Sequence, residues 1–156
     1  MNILFVCTGN TCRSPLAEGI TRALVAERDL AGVLVRSAGT NANDGSPASD
    51  GSLLVALEQG IDLNGHRAQM LTPELVHWSD LILVMGAHHR DRAETLGGEG
   101  KTHLLTSYAS RGENARPVAD PFGGDLPVYR ATFDELLQEI GDVLDRVTRE
   151  RPPPPA

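Results

Sequence analysis

The chain has 156 residues, 40% of them hydrophobic, which fits one compact domain with a substantial core. A formal net charge of -7 and a pI near 5.1 exclude the broad basic surface that nucleic acid or an anionic membrane needs, so any anion site must be local. No run approaches the ~20 apolar residues of a membrane span, and the first residues lack the basic, apolar and small-residue series of a signal peptide, so a cytoplasmic protein is expected. In that reducing compartment Cys7 and Cys12 are expected as thiols.

Ile3-Leu4-Phe5-Val6 has β-branched residues at both ends and no polar alternation, and it predicts a central parallel strand covered on both faces. A helix is expected next, with Ser14 as its cap, Pro15 in its first turn, and Leu16, Ile20, Ala23 and Leu24 on one face. Residues Val33 to Ser37 predict a second strand and, with the first, a βαβ unit. Gly39 to Ser52, rich in Gly, Asn, Asp and Ser, reads as a mobile surface loop near the strand ends. Leu53 to Gln59 reads as a helix stopped by Gly60.

Thr72-Pro73 opens a short helix to Trp78, and Leu81 to Met85 predicts another buried strand. A helix from about His88 to Leu96 and a weaker strand from Thr102 to Leu105 follow. Phe133, Leu136, Leu137, Ile140, Val143, Leu144 and Val147 form one apolar stripe, the packing face of a final helix. Arg151 and Pro152 to Pro155 cannot extend it, so a disordered proline-rich tail is expected over 151–156 and one domain over 1–150. The order of elements predicts a single doubly wound α/β domain: a central parallel four-stranded sheet in flavodoxin-like order, helices on both faces, and ligands at the carboxyl ends of the strands.

The loop after the first strand reads Cys7-Thr8-Gly9-Asn10-Thr11-Cys12-Arg13-Ser14. A loop wrapping from strand into helix turns successive N–H groups inward, and the helix adds the positive end of its dipole; such a nest binds a dianionic phosphate. Gly9 permits the turn, and Asn10 can adopt a left-handed conformation or tie the loop through its amide. The sulfur of Cys7 is expected in the middle of the nest, where the amides, the dipole and Arg13 favour an anionic nucleophile. Arg13 can offer a planar fork to two phosphoryl oxygens, and Ser14 a hydroxyl to the sulfur as it leaves. The phosphate-binding set is therefore Thr8, Gly9, Asn10, Thr11, Cys12, Arg13 and Ser14.

These residues, from Val6 to Pro15, resemble the signature loop of the low-molecular-weight protein tyrosine phosphatase family. The likeness extends through Ser37-Ala38-Gly39, His66, the strand ending at Met85 and Asp120-Pro121-Phe122. It implies a protein phosphatase that needs no metal or cofactor and acts on phosphorylated protein substrates through a cysteinyl phosphate on Cys7, with a monomer expected. Asp120 would protonate the leaving group and then, as base, draw a proton from the hydrolytic water. His66, and Ser37 beside it, would hold Asn10. The histidines His66, His77, His88, His89 and His103 show no metal-ligand spacing. Cys12 is expected as pocket wall, or as a thiol that pairs with oxidised Cys7.

For specificity, Thr11 and Asp120-Pro121-Phe122-Gly123-Gly124 resemble the protein-arginine phosphatases of the family. A threonine adds a hydroxyl and trims the cavity, which suits a guanidinium and crowds a phenol, and no aromatic residue lies between Gly39 and Ser52. Phosphoarginine is the favoured substrate, with phosphotyrosine the alternative. Arsenate reduction ranks lower because no cysteine follows Cys12 to relay the oxidation, and a non-catalytic phosphoprotein-binding module has no use for Cys7 and Asp120.

Overall fold

The computed structural model describes residues 1–150, so the tail expected over 151–156 lies outside the described residues. Four parallel strands, β1 (Asn2–Cys7), β2 (Leu34–Gly39), β3 (Leu81–Val84) and β4 (Thr102–Leu104), form one sheet in the order β2-β1-β3-β4. Six α-helices connect and cover them: α1 (Arg13–Glu27), α2 (Asp50–Glu58), α3 (Pro73–Trp78), α4 (Ala87–Ala93), α5 (Leu105–Ala109) and α6 (Leu126–Glu150).

The alternation of side chains along β1 divides the core in two. Ile3, Phe5 and Cys7 face Leu16 and Ile20 of α1 and Phe133, Leu136 and Ile140 of α6, whereas Leu4 and Val6 face Leu75 and Val76 of α3 and Ala93 of α4. Both faces of β1 are therefore dry, which explains its unbroken apolar sequence. On α6 the expected stripe is buried except for Leu137, which is 41% exposed, and on α1 Ala23 turns to solvent. No helix among the described residues is long and apolar enough to cross a membrane.

Three connecting segments depart from the sequence expectation. The segment from Gly39 to Ser52 is held rather than loose: Gly45 N–H donates to the Ala68 carbonyl, Ala68 N–H to that of Ser46, and Ser49 N–H to that of Thr11. Ser49 also caps α2, which begins at Asp50 and not at Leu53. Second, α4 ends at Ala93; the chain continues as a wider turn through Glu94–Gly98, where Gly97 adopts φ 107°. Third, α5 lies outside the expected elements, because Leu105–Ala109 is too short to carry a helical period.

Strand β1 ends at Cys7 directly beside Gly39, the end of β2. There Gly39 N–H donates to the Gln69 carbonyl and its own carbonyl accepts from Leu71 N–H, so a third segment is tied to the same strand end. A Cβ at Gly39 would be driven into the Thr8 carbonyl oxygen and lie 2.9 Å from Asn10 N, both of them backbone. Gly39→Ala is therefore expected to cost about 2 kcal/mol or more in urea unfolding and to weaken phosphate binding, because the loop itself must shift. Unchanged stability and binding would show that the close approach is not a constraint.

Candidate active site

The loop from Thr8 to Cys12 is built around Asn10, which is fully buried and left-handed at φ 56°. Each polar group of its side chain is used. Its Nδ2 donates to Ser14 Oγ at 2.7 Å and to Ser37 Oγ at 3.0 Å, while Oδ1 accepts from Gln69 N–H at 3.0 Å. His66 Nε2 donates to the Asn10 carbonyl at 2.7 Å, so Ser37 and His66 both hold this residue, His66 through the backbone. The conformation costs about 1–2 kcal/mol, and these bonds over-determine it.

Ser14 is not the cap of α1: Cys12 occupies that position and makes no side-chain cap bond. The Ser14 hydroxyl instead stands 2.9 Å from Cys7 Sγ. Because Ser14 Oγ already accepts from Asn10, its own hydrogen is free to point at the sulfur. The missing cap bond leaves the first turn of α1 open toward the loop.

Arg13, the first residue of α1, is 6% exposed. One terminal nitrogen donates to the Val118 carbonyl at 2.9 Å, the other lies 3.7 Å from Asp120 Oδ2, and Nε is buried without a hydrogen-bond partner. Val118 N–H in turn donates to the Met85 carbonyl, so the end of β3 fixes the segment that carries Asp120. Asp120 Oδ1 accepts from Phe122 N–H at 3.0 Å, and its side chain is 51% exposed, so its ion pair with Arg13 orients more than it stabilises.

Cys7, Thr8, Gly9, Thr11, Cys12, Arg13, Asp120 and Phe122 enclose a concavity of about 230 Å³. A larger depression of about 420 Å³ lies around Arg36, Asp44 and Met70, but no cysteine lines it. Size alone therefore does not mark the site. Phe122 is 75% exposed at the rim. Cys12 Sγ lies 3.5 Å from Tyr129 OH and donates to Ser49 Oγ at 3.3 Å, which makes it part of the wall. Burial, and then Cys12 beside it, raise the pKa of Tyr129. Among the described residues no cluster of three or more His, Cys, Asp or Glu could hold a metal ion.

Sequence reasoning missed Val118, Tyr129, Ser49 and His89. The first three act through a backbone carbonyl or across large sequence separations, and nothing in their local pattern announces it. His89 is fully buried, and its Nε2 lies 2.8 Å from the Thr8 hydroxyl. Burial first, then the charges of His88 and Arg13, push its pKa down to about 3 against the opposing pull of Asp120.

A parallel sheet whose first strand ends in a cysteine, followed by a left-handed loop and a buried arginine around one concavity, fits a phosphate-handling enzyme of the cysteine-nucleophile class. The family model described as low molecular weight phosphotyrosine protein phosphatase matches residues 2–152, and the chain belongs to this family of protein phosphatases. A protein-arginine-phosphatase of Geobacillus stearothermophilus is 40% identical over 96% of this chain and 97% of its own. One from Bacillus subtilis is 36% identical over 97% and 99%. The low molecular weight protein-tyrosine-phosphatase PtpB of Staphylococcus haemolyticus is 38% identical over 90% and 96%. Among solved structures, a mutant of the YwlE arginine phosphatase with a phosphorylated active-site serine superposes with a TM-score of 0.91 at 35% identity, covering 97% of this chain and 98% of the other.

The depressed pKa of His89 has a signed consequence. Below its ordinary 6.5 the unfolded chain binds a proton there that the folded chain refuses until about pH 3. The site's contribution to stability is thus complete above pH 6.5 and is lost as pH falls toward 3. Urea titrations at pH 7 and pH 5 should show His89→Gln losing about 2 kcal/mol less than the unaltered chain over that interval. Equal losses would mean that His89 titrates normally in the fold.

Proposed function

We propose that this protein is a cytoplasmic protein-arginine phosphatase, which removes the phosphoryl group from phosphoarginine side chains through a cysteinyl phosphate on Cys7. The observation that carries the reaction type is the concavity shared by the Cys7 sulfur, the buried and unpartnered Nε of Arg13, and Asp120. A buried guanidinium nitrogen with no protein acceptor is costly unless an anion completes it, and a phosphoryl oxygen is the acceptor that the adjoining space admits.

In the first step Cys7 Sγ attacks phosphorus, the bond from phosphorus to the leaving nitrogen or oxygen breaks, and Asp120 delivers a proton to that atom. The loop amides and Arg13 receive the charge gathering on the equatorial oxygens. In the second step water attacks the cysteinyl phosphate, Asp120 takes its proton, and the sulfur leaves as an anion stabilised by the Ser14 hydroxyl at 2.9 Å. The water's oxygen ends in inorganic phosphate, and the thiolate is regenerated. No metal or cofactor enters these steps, and one subunit supplies every group.

Thr11 supports the guanidinium substrate: it lines the concavity, and its hydroxyl sits 3.8 Å from Cys12 Sγ on the wall. The relatives from Geobacillus stearothermophilus and Bacillus subtilis support the same choice. Phosphotyrosine is the second reading, favoured by Phe122, whose exposed ring at the rim could stack on a phenol.

Matched phosphoarginine and phosphotyrosine peptides, assayed side by side, decide between them. The unaltered chain should prefer phosphoarginine, and Thr11→Ile should move the rate ratio toward phosphotyrosine about tenfold; a ratio that stays put removes Thr11 from the specificity account. Cys7→Ser should abolish turnover while still binding phosphopeptide, and Asp120→Asn should lower kcat on phosphotyrosine peptide about 100-fold. Full activity in either variant would contradict the role of that residue as nucleophile or as acid.

A further inference from the structure

Among the buried titratable side chains that the two chemical steps leave unused, His89 stands against the loop itself. His89 on α4 is fully enclosed, with Nε2 2.8 Å from Thr8 Oγ1 and Nδ1 buried without a hydrogen-bond partner. Thr8 follows the nucleophile and lines the concavity with Cys7, Arg13 and Asp120. We propose that His89 is a positioning residue: as the Nε2–H tautomer it donates to Thr8 Oγ1, which turns the threonine's own hydrogen into the pocket as a donor to a bound phosphoryl oxygen.

The choice of tautomer follows from the unpartnered nitrogen. With the hydrogen on Nδ1, a desolvated N–H would have no acceptor, and Nε2 would consume the one hydrogen that Thr8 has. The threonine would then present only lone pairs to an anion. With the hydrogen on Nε2, the sole unsatisfied group is a lone pair at Nδ1, and Thr8 keeps its hydrogen. An imidazolium is worse again, because Nδ1–H remains orphaned and the charge sits beside Arg13 and His88, with only the half-exposed Asp120 opposing them. The low pKa of His89 agrees: the ring is neutral at pH 7.

The ring is fixed just beyond the strand end that also anchors the segment carrying Asp120. Gly86 follows Met85 beyond β3, and its carbonyl accepts from His89 N–H at 3.1 Å. The exposed His88 ring packs against His89 at 3.8 Å between centroids, tilted by 46°, and a Cβ at Gly86 would press on His88 at 3.2 Å. Among the described residues the partner of Thr8 Oγ1 is His89 Nε2, so an anionic oxygen in the adjoining concavity is the acceptor this polarity fits.

This assignment rests on the phosphatase reading, so its test uses inorganic phosphate binding by calorimetry, which does not require turnover. Thr8→Val should weaken phosphate binding about tenfold, the loss of one hydrogen bond to a charged group. His89→Leu should weaken it similarly, the double variant should be no worse than either single one, and His89→Gln, which offers an N–H at similar reach, should recover most of the loss. Nitrogen-15 NMR of the unaltered chain at neutral pH should show His89 protonated on Nε2 alone; this measurement and Thr8→Val carry the test even if His89→Leu does not fold. An Nδ1–H tautomer, an imidazolium, unchanged phosphate affinity in Thr8→Val, or additive losses in the double variant would overturn the assignment. A chain that binds phosphate as described but turns over no phosphopeptide would instead defeat the phosphatase reading and leave this one standing.

Discussion

The loop that follows the Cys7 sulfur depends on one residue held in an uncommon backbone conformation. Asn10 turns the chain left-handed at φ 56°, and that turn lets the loop from Cys7 close on itself before α1 begins. Four hydrogen bonds hold it there: its Nδ2 donates to Ser14 and Ser37, its Oδ1 accepts from Gln69 N–H, and its carbonyl accepts from His66. Those partners come from α1, β2 and the segment that bridges to Gly39, so the loop is only as good as the sheet around it. The same bond that pins Asn10 to Ser14 leaves the serine's hydrogen for the Cys7 sulfur, which links loop shape directly to reactivity.

A second constraint comes from the end of the neighbouring strand β3. The Met85 carbonyl at the end of β3 holds Val118, and the Val118 carbonyl holds Arg13, so the buried guanidinium and the segment carrying Asp120 share an anchor. Arg13 keeps Nε unpartnered inside the protein, an unfavourable arrangement for folding alone and a favourable one for an anion that arrives later. His89, next to the same strand end, repeats the pattern with an unpartnered Nδ1. Polar groups left incomplete in this way concentrate where binding occurs, and the fold offsets them with the dry contacts of both core clusters.

The sheet was legible in the sequence because β1 and β3 are buried on both faces and so read as unbroken apolar runs. The loop was legible because its chemistry is contiguous: Cys7, Gly9, Asn10, Arg13 and Ser14 lie within one turn of chain. Ser14 shows where local pattern misleads, since a serine before a proline looks like a cap, yet a sulfur and an amide across the loop claim it. Gly39 to Ser52 looks mobile by composition because the bonds that hold it run to Thr11 and Ala68, partners that only the folded chain supplies. Val118 and His89 are invisible for the same reason: one contributes a carbonyl that any residue has, and the other meets Thr8 across 81 positions.

In the chemistry proposed for this fold, the Cys7 sulfur takes the phosphoryl group covalently. Rapid acid quench of the enzyme during turnover of phosphopeptide, followed by peptide mapping in a mass spectrometer, tests this most directly. Phosphate should be found on Cys7, appear within one turnover, and vanish from Cys7→Ser as thiophosphate. Phosphate released at full rate with none ever attached to Cys7 would contradict the account.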